Sequence, residues 1–247
     1  MTAGRNDPTH LEPVTARAWR AAEEGVLGEW RLNASNGISG RINACWTIGD
    51  PGRPVASAVA QVEAWYAARG LPARFKIVDR LCEPADLSDR LAAAGYGPTK
   101  ETLVMTGPVP AGADPRVHVL DEPDERFAGV FAGASTDPLE ARERLEALAR
   151  TPMPNGFALA EVAGEAAAIG ACAVEAPWVG IFAMRTLPVF RRQGLARAVL
   201  DSLLARAATL GAATAWLQVE ADNVGARRLY EAAGFEEAYR YRYWARP

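Results

Sequence analysis

Between Met184 and Phe235 the chain passes from an apolar strand into Arg191-x-x-Gly194-x-Ala196, then a helix, a second strand and a short closing helix. From Leu195 onward, Leu195, Val199, Leu203 and Leu210 recur at helical spacing, joined on the same side by Leu200 and Leu204. Arg197, Asp201 and Arg206 fall mostly on the other side, which predicts a helix with one buried stripe. A loop entering such a helix presents unpaired backbone N–H groups at the positive end of the dipole, a combination that suits phosphate or pyrophosphate. Gly194 lets the backbone come close to a ligand, Ala196 keeps the first turn narrow, and Arg191 and Arg192 add positive charge at the rim. An ordinary helix-entry turn would use the same residues, so the loop alone leaves both readings open.

A second segment narrows the choice. Ala215 to Glu220 reads as a strand, and Asp222-Asn223 is a helix-starting pair. The pattern Asn-x-x-Ala-x-x-Leu-Tyr-x-x-x-Gly-Phe then places Asn223, Ala226 and Tyr230 near one face of a short helix ending at Gly234. In this order and separation the two segments resemble the GNAT superfamily of acyl-CoA-dependent N-acetyltransferases. Arg191 to Ala196 is similar to its pyrophosphate loop, and Asn223 to Phe235 to its later cofactor and leaving-group segment. The likeness is specific within Phe157 to Trp244, roughly a third of the chain.

The resemblance implies a mixed α/β (α+β) fold, a central, mostly antiparallel sheet flanked by helices. It also implies acetyl-CoA as cofactor and transfer of an acetyl group to a primary amine. Backbone groups around Met184, Arg185 and Thr186 would pair with the pantetheine arm where two strands splay apart, one N–H meeting the carbonyl oxygen. Arg191, Arg192, Gln193, Gly194, Leu195, Ala196 and Arg197 would bind the pyrophosphate, and the Asn223 side chain would fix the pantetheine arm. Tyr230 would also face the cofactor, as general acid for the departing thiolate, a task worth on the order of 10²–10⁴ in rate. Packing under the sheet is the other role that fits Tyr230. For the base, Glu175 and Glu161 lie on expected central strands, where each also fits as a solvated residue; an amine arriving partly unprotonated needs no strong base. No Cys stands in the motif as an acyl carrier, so direct attack in a ternary complex is expected. A non-catalytic acyl-CoA-binding regulatory module is the alternative, and retention of Tyr230 argues against it. Trp178, Phe182, Trp216, Tyr239, Tyr241, Tyr243 and Trp244 could line an acceptor site or serve as core.

Bulk properties exclude other classes. A net charge of −3 gives no general attraction to nucleic acid or anionic membrane. No apolar run is long enough to span a bilayer, and Met1 to Asp7 lacks a signal-peptide core. Cys45, Cys82 and Cys172 are far apart among apolar neighbours, which fits buried thiols and a cytoplasmic setting. His10 and His118 have no Cys or His partner at ligand spacing, so no metal site and no histidine triad is expected. The acceptor stays open among small-molecule amines, amino acids, peptides, antibiotics and protein amines, as does the choice of monomer or homodimer.

The 247 residues are comfortable for two domains. Pro13 to Glu24 is helix-like. Trp30–Leu32 and Ile42–Ile48 read as strands joined through the Asn36-Gly37 turn. A helix from Val55 to Arg69, stopped by Gly70, precedes a strand Phe75–Val78, a short helix and Ala93-Ala94-Gly95-Tyr96. The second half repeats this order up to Ala232-Ala233-Gly234-Phe235. Residues 1–108 are therefore expected to form a degenerate GNAT-like copy, joined by a Pro/Gly-rich linker ending near Pro115 to a catalytic copy over 116–247. In the first copy Pro54 removes a backbone N–H from the phosphate loop, and Leu91 stands in place of Tyr230. That copy would serve as packing partner or as a wall for the acceptor. Thr151 to Gly156 forms a loop that could border the acceptor pocket.

Overall fold

The computed structural model describes residues 7–78, 81–110, 112–151 and 155–247. The first half runs α1 (Pro8–Ala18), β1 (Glu23–Leu27), β2 (Trp30–Ala34), β3 (Cys45–Trp46), α2 (Val55–Ala67), β4 (Arg74–Val78), α3 (Leu87–Ala93) and β5 (Gly97–Pro108). The second begins with β6 (Val117–Leu120), α4 (Glu125–Gly133), α5 (Pro138–Ala149), β7 (Asn155–Val162), β8 (Glu165–Glu175) and β9 (Trp178–Thr186). It closes with α6 (Leu195–Thr209), β10 (Thr214–Glu220), α7 (Val224–Ala232) and β11 (Glu236–Ala245). The succession α2–β4–α3–β5 thus matches α6–β10–α7–β11, as the repeat in the sequence predicts.

All these strands join one sheet in the order β1-β2-β3-β4-β11-β5-β10-β9-β8-β7-β6. Each half supplies a parallel pair, β3 with β4 and β9 with β10. The final strands then change places. β11 lies against β4, with Tyr241 opposite Val78, and β5 lies against β10, with Met105 opposite Leu217. At the centre β5 and β11 pair antiparallel, Leu103 opposite Arg240. The mostly antiparallel sheets expected of the two halves therefore meet as one continuous sheet, each half completed by the other's last strand.

Local differences from the sequence reading have physical causes. The first helix starts earlier than Pro13, because Asp7 caps it by accepting from the Thr9 N–H at 2.9 Å and Pro8 occupies its first turn. It also ends earlier, and Glu23 and Glu24 enter the edge strand β1, whose charged face resembles helix surface in sequence. β5 extends to Pro108, so the start of the expected linker is strand. Of the expected Thr151–Gly156 loop, residues 152–154 lie outside the described residues, and Asn155 and Gly156 open β7 instead of closing the loop.

On one face of the sheet α6 packs against β7, β8 and β9, burying Leu195, Val199, Leu200, Leu203 and Leu204. Each such side chain contributes about 1.5–3 kcal/mol by leaving water. On the other face Trp19, Phe127, Phe131, Phe182 and Trp216 form a core with α1, α4 and α5. Two buried carboxylates tie the halves together there. Glu12 takes Lys76 Nζ at 2.6 Å and the Tyr239 hydroxyl at 2.7 Å, while Lys76 lies over the Trp46 ring at 3.8 Å. Glu143 on α5 accepts from the backbone of Asn36 (2.7 Å) and Ser39 (2.6 Å) and from Asn43 Nδ2 (2.9 Å), clasping the turn that leads to Arg41. With the Ile38 N–H at 3.3 Å, four donors surround this one buried carboxylate, and such bonds offset its desolvation.

Candidate active site

The parallel pairing of β9 and β10 stops at Ile181 opposite Leu217, although both strands continue. The cause lies on the other edge of β9. Between the pairs Ile169–Arg185 and Ala171–Phe182, both Ala183 and Met184 oppose the single residue Gly170, a β-bulge with Ala183 at φ 54°. Gly170 makes room for it: a Cβ there would meet Met184 Sδ at 2.5 Å and Val199 Cγ1 at 2.7 Å. The bulge turns β9 away from β10 and opens a V between the strand ends.

A groove of about 540 Å³ follows from this opening along the start of α6. Its lining contains Met184, Arg185, Thr186, Arg191, Arg192, Gly194, Leu195, Ala196, Arg197, Asn223 and Tyr230. Of the residues expected at a cofactor, Gln193 alone lies outside this lining, exposed on the loop. Arg192 (φ 66°) and Gly194 (φ 77°) are both left-handed, a backbone form that gathers N–H groups into an anion-binding nest. The helix start carries no side-chain cap, and a Cβ on Gly194 would find only open space, so the cradle is accessible. These features fit a diphosphate. Arg197 is braced by Asp201 (2.9 Å) and the Ala232 carbonyl (3.0 Å), and so borders the groove in a fixed position. Asn223 caps α7 by accepting from the Ala226 N–H at 3.1 Å, which leaves its amide N–H groups as donors.

Beyond Met184 the groove opens into a basin of about 330 Å³, and Met184, Arg185, Asn223, Ala226 and Tyr230 belong to both. Tyr230 stands at this junction, buried on α7 beside Phe235. Burial pushes its phenol up to about 12, against the opposing pull of Arg41 and Arg185. The proton therefore stays on the oxygen at neutral pH, where it can be donated. The basin's deeper walls carry Arg41 from the first half, Arg144 and Glu140 from α5, and Gln218 and Glu220 from β10. Nothing in the sequence pattern marks Arg41 or Arg144. One is in a turn and the other on a charge-rich helix, and long-range packing alone brings them to Tyr230.

Neither expected carboxylate base reaches this place. Glu175 sits at the far end of β8, opposite Trp178, paired with Arg17 at 2.5 Å. Glu161 is held by Arg126 at 2.7 Å. Position along the strand decides this: the V opens at the other end of β9. Of the aromatic candidates, Phe182 lines the basin, and Trp216 lines a small cavity behind it. Tyr239 and Tyr241 are core residues, while Tyr243 and Trp244 pack partly buried against the core and Trp178 stays at the hairpin end.

The corresponding place in the first half is closed. The Gly52 N–H is taken by Asp50 at 2.7 Å, Pro54 offers no N–H, and Ile48 and Gly49 bridge to Cys82 across the end of the strand pair. Leu91, at the position matching Tyr230, is fully buried.

Residues 7–244 match the family described as probable histone acetyltransferase Rv0428c C-terminal. The chain is 28% identical over 240 residues to the probable histone acetyltransferase Rv0428c of Mycobacterium tuberculosis, covering 94% of this chain and 72% of that protein. Over 58 residues it is 45% identical to the ribosomal protein bS18 alanine N-acetyltransferase of Escherichia coli, which is 24% of this chain and 39% of that enzyme. Among solved structures, a GCN5-related N-acetyltransferase from Kribbella flavida superimposes with a TM-score of 0.67 at 20% identity, over 97% of this chain and 93% of that one. A tandem GNAT protein from the clavulanic acid biosynthesis pathway gives 0.62 at 14% identity, over 87% and 77%. The chain belongs to the Rv0428c C-terminal family of the GNAT superfamily, and it is an N-acetyltransferase.

Proposed function

We propose that this GNAT N-acetyltransferase binds one acetyl-CoA per chain in the groove between β9, α6 and α7, and passes the acetyl group to a primary amine waiting in the basin. The reading is carried by the meeting of the groove and the basin at Met184 and Tyr230. When bound, acetyl-CoA supplies a thioester carbon activated for attack. The nest around Arg192 and Gly194, at the start of α6, neutralises the pyrophosphate, with Arg191 and Arg192 at the rim. Asn223 donates to the pantetheine arm, and Met184, Arg185 and Thr186 offer it the unpaired edge of β9. Tyr230 holds a proton for the leaving sulfur. Transfer is direct: Cys172 is buried under α6 and its thiol is pushed up to about 12, so no thiolate is ready to carry the acyl group.

The two halves divide the work. Residues 116–247 carry the cofactor groove and the acid, while 1–108 form a degenerate copy that lends β5 to the sheet and Arg41 to the acceptor wall. An α-amine is a suitable acceptor, in keeping with the relative named for a ribosomal protein alanine. Substituting Tyr230→Phe tests the chemistry: kcat should fall about 100-fold or more, with acetyl-CoA affinity unchanged within about threefold. Unchanged kcat would remove Tyr230 from the mechanism.

A further inference from the structure

The basin wall carries three guanidinium groups, those of Arg41, Arg144 and Arg185. Arg41 donates through Nη2 to the Gln218 carbonyl at 3.0 Å, and Arg185 through Nη1 to the Met184 carbonyl at 3.1 Å. Among the described residues neither guanidinium has a carboxylate partner, whereas Glu140 is engaged by Arg144 (2.5 Å) and Glu220 by Lys100 (3.0 Å). Behind the basin lies a cavity of about 10 Å³, space for one water-sized oxygen, and it shares Arg41, Phe182 and Gln218 with the basin. Eight buried side-chain polar atoms among the described residues have no partner, and four belong to residues lining the basin or this cavity: Arg144 Nε and the indole nitrogens of Trp19, Trp46 and Trp216. All four are donors. Buried donors are normally satisfied, so the three indole nitrogens mark a place for a water in the small cavity, while Arg144 Nε, beside the carboxylate-free Arg41 and Arg185, marks a place for an oxygen-rich group in the basin.

Resting on the assignment of the basin as the acceptor site, we propose that the acetyl acceptor is a small amine of amino-acid size that carries a carboxylate, held by Arg41 and Arg144. A planar carboxylate matches the guanidinium fork. The same field solves the base problem left by the distant Glu175. Arg41, Arg144 and Arg185 together outweigh Glu140 and Glu220 in the basin wall, and that surplus of positive charge lowers the pKa of a neighbouring ammonium and favours the neutral, nucleophilic amine. It also disfavours polyamines and lysine-rich tails, which bring further positive charge into the basin.

Release of CoA thiol is followed with paired acceptors differing in the carboxylate, L-alanine against L-alaninamide and L-glutamate against L-glutamine, with putrescine as the cationic member. Acetyl-CoA binding is measured by calorimetry on the same protein. The carboxylate amines should exceed L-alaninamide and putrescine by about 100-fold in kcat/KM. Arg41→Gln and Arg144→Gln should each lower that value about 10- to 100-fold through KM, with acetyl-CoA affinity kept and partial recovery in Arg41→Lys. Equal or faster turnover of L-alaninamide or putrescine, no turnover of any carboxylate amine, or an unchanged KM in the arginine variants, each with acetyl-CoA bound, would overturn the proposal alone. Failure to bind acetyl-CoA would instead remove the cofactor assignment. Direct titration of L-glutamate then decides: binding weakened in Arg41→Gln supports the carboxylate site, and no binding refutes it.

Discussion

Glu143 offers the sharpest test of how the first half shapes the site. Its Oε1 accepts from the Asn36 N–H (2.7 Å), the Ile38 N–H (3.3 Å) and Asn43 Nδ2 (2.9 Å), while Oε2 accepts from the Ser39 N–H (2.6 Å). Glu143→Gln keeps the shape and one acceptor oxygen but turns an NH₂ toward the donors on the Oε2 side. At least one bond to a charged acceptor is lost, worth about 1.5–3 kcal/mol, and a buried donor is left facing another donor, costing about 1–3 kcal/mol. Removing a buried charge relieves some desolvation, so the net loss should be about 2–4 kcal/mol. In a chain of this size each kcal/mol moves Tm by about 2–4 °C, giving a fall of about 4–16 °C in calorimetry. The clasped turn carries Arg41, so the acceptor KM should rise while acetyl-CoA affinity, set by a groove that Glu143 does not line, should hold. A Tm within about 1 °C of the parent with an unaltered acceptor KM would refute the argument.

The bulge and the acid can be tested separately. Gly170→Ala would press a methyl against Met184 Sδ and Val199 Cγ1, which should cost about 1–3 kcal/mol and weaken acetyl-CoA binding by shifting the β9 backbone; normal affinity would mean the bulge does not shape the groove. With the Tyr230 phenol raised to about 12, its protonated form is complete below that pH, so kcat/KM should show no descending limb from Tyr230 up to pH about 11. A limb near pH 9 that disappears in Tyr230→Phe would contradict the buried, protonated acid.

The parts of the molecule legible in sequence are those whose signals are local. The α6 stripe from Leu195 to Leu204, the left-handed stop of α7 at Gly234 and the order of the two motifs all follow from spacing over a few turns. What could not be read is set by long-range pairing. β5 and β11 have the alternation of any half-buried strand, and nothing in it dictates that each crosses to the other half. The bulge at Ala183 uses an alanine in a left-handed conformation, which no composition rule flags. Glu175 was readable as a strand residue, but its distance from the V depends on where β9 and β10 part. Arg41 joins Arg144 across about a hundred residues of chain because Glu143 holds its turn.

The central claim is a single acetyl-CoA site, built by the second half around Gly194. Calorimetric titration of acetyl-CoA into the purified protein tests it most directly, with Gly194→Glu placing bulk and negative charge in the open space beside the cradle. One site per chain is expected in the parent, and no measurable binding in Gly194→Glu, whose Tm should fall only by about 2–8 °C, the cost of a non-glycine in this left-handed backbone. Two sites per chain, or normal affinity in Gly194→Glu, would contradict that claim.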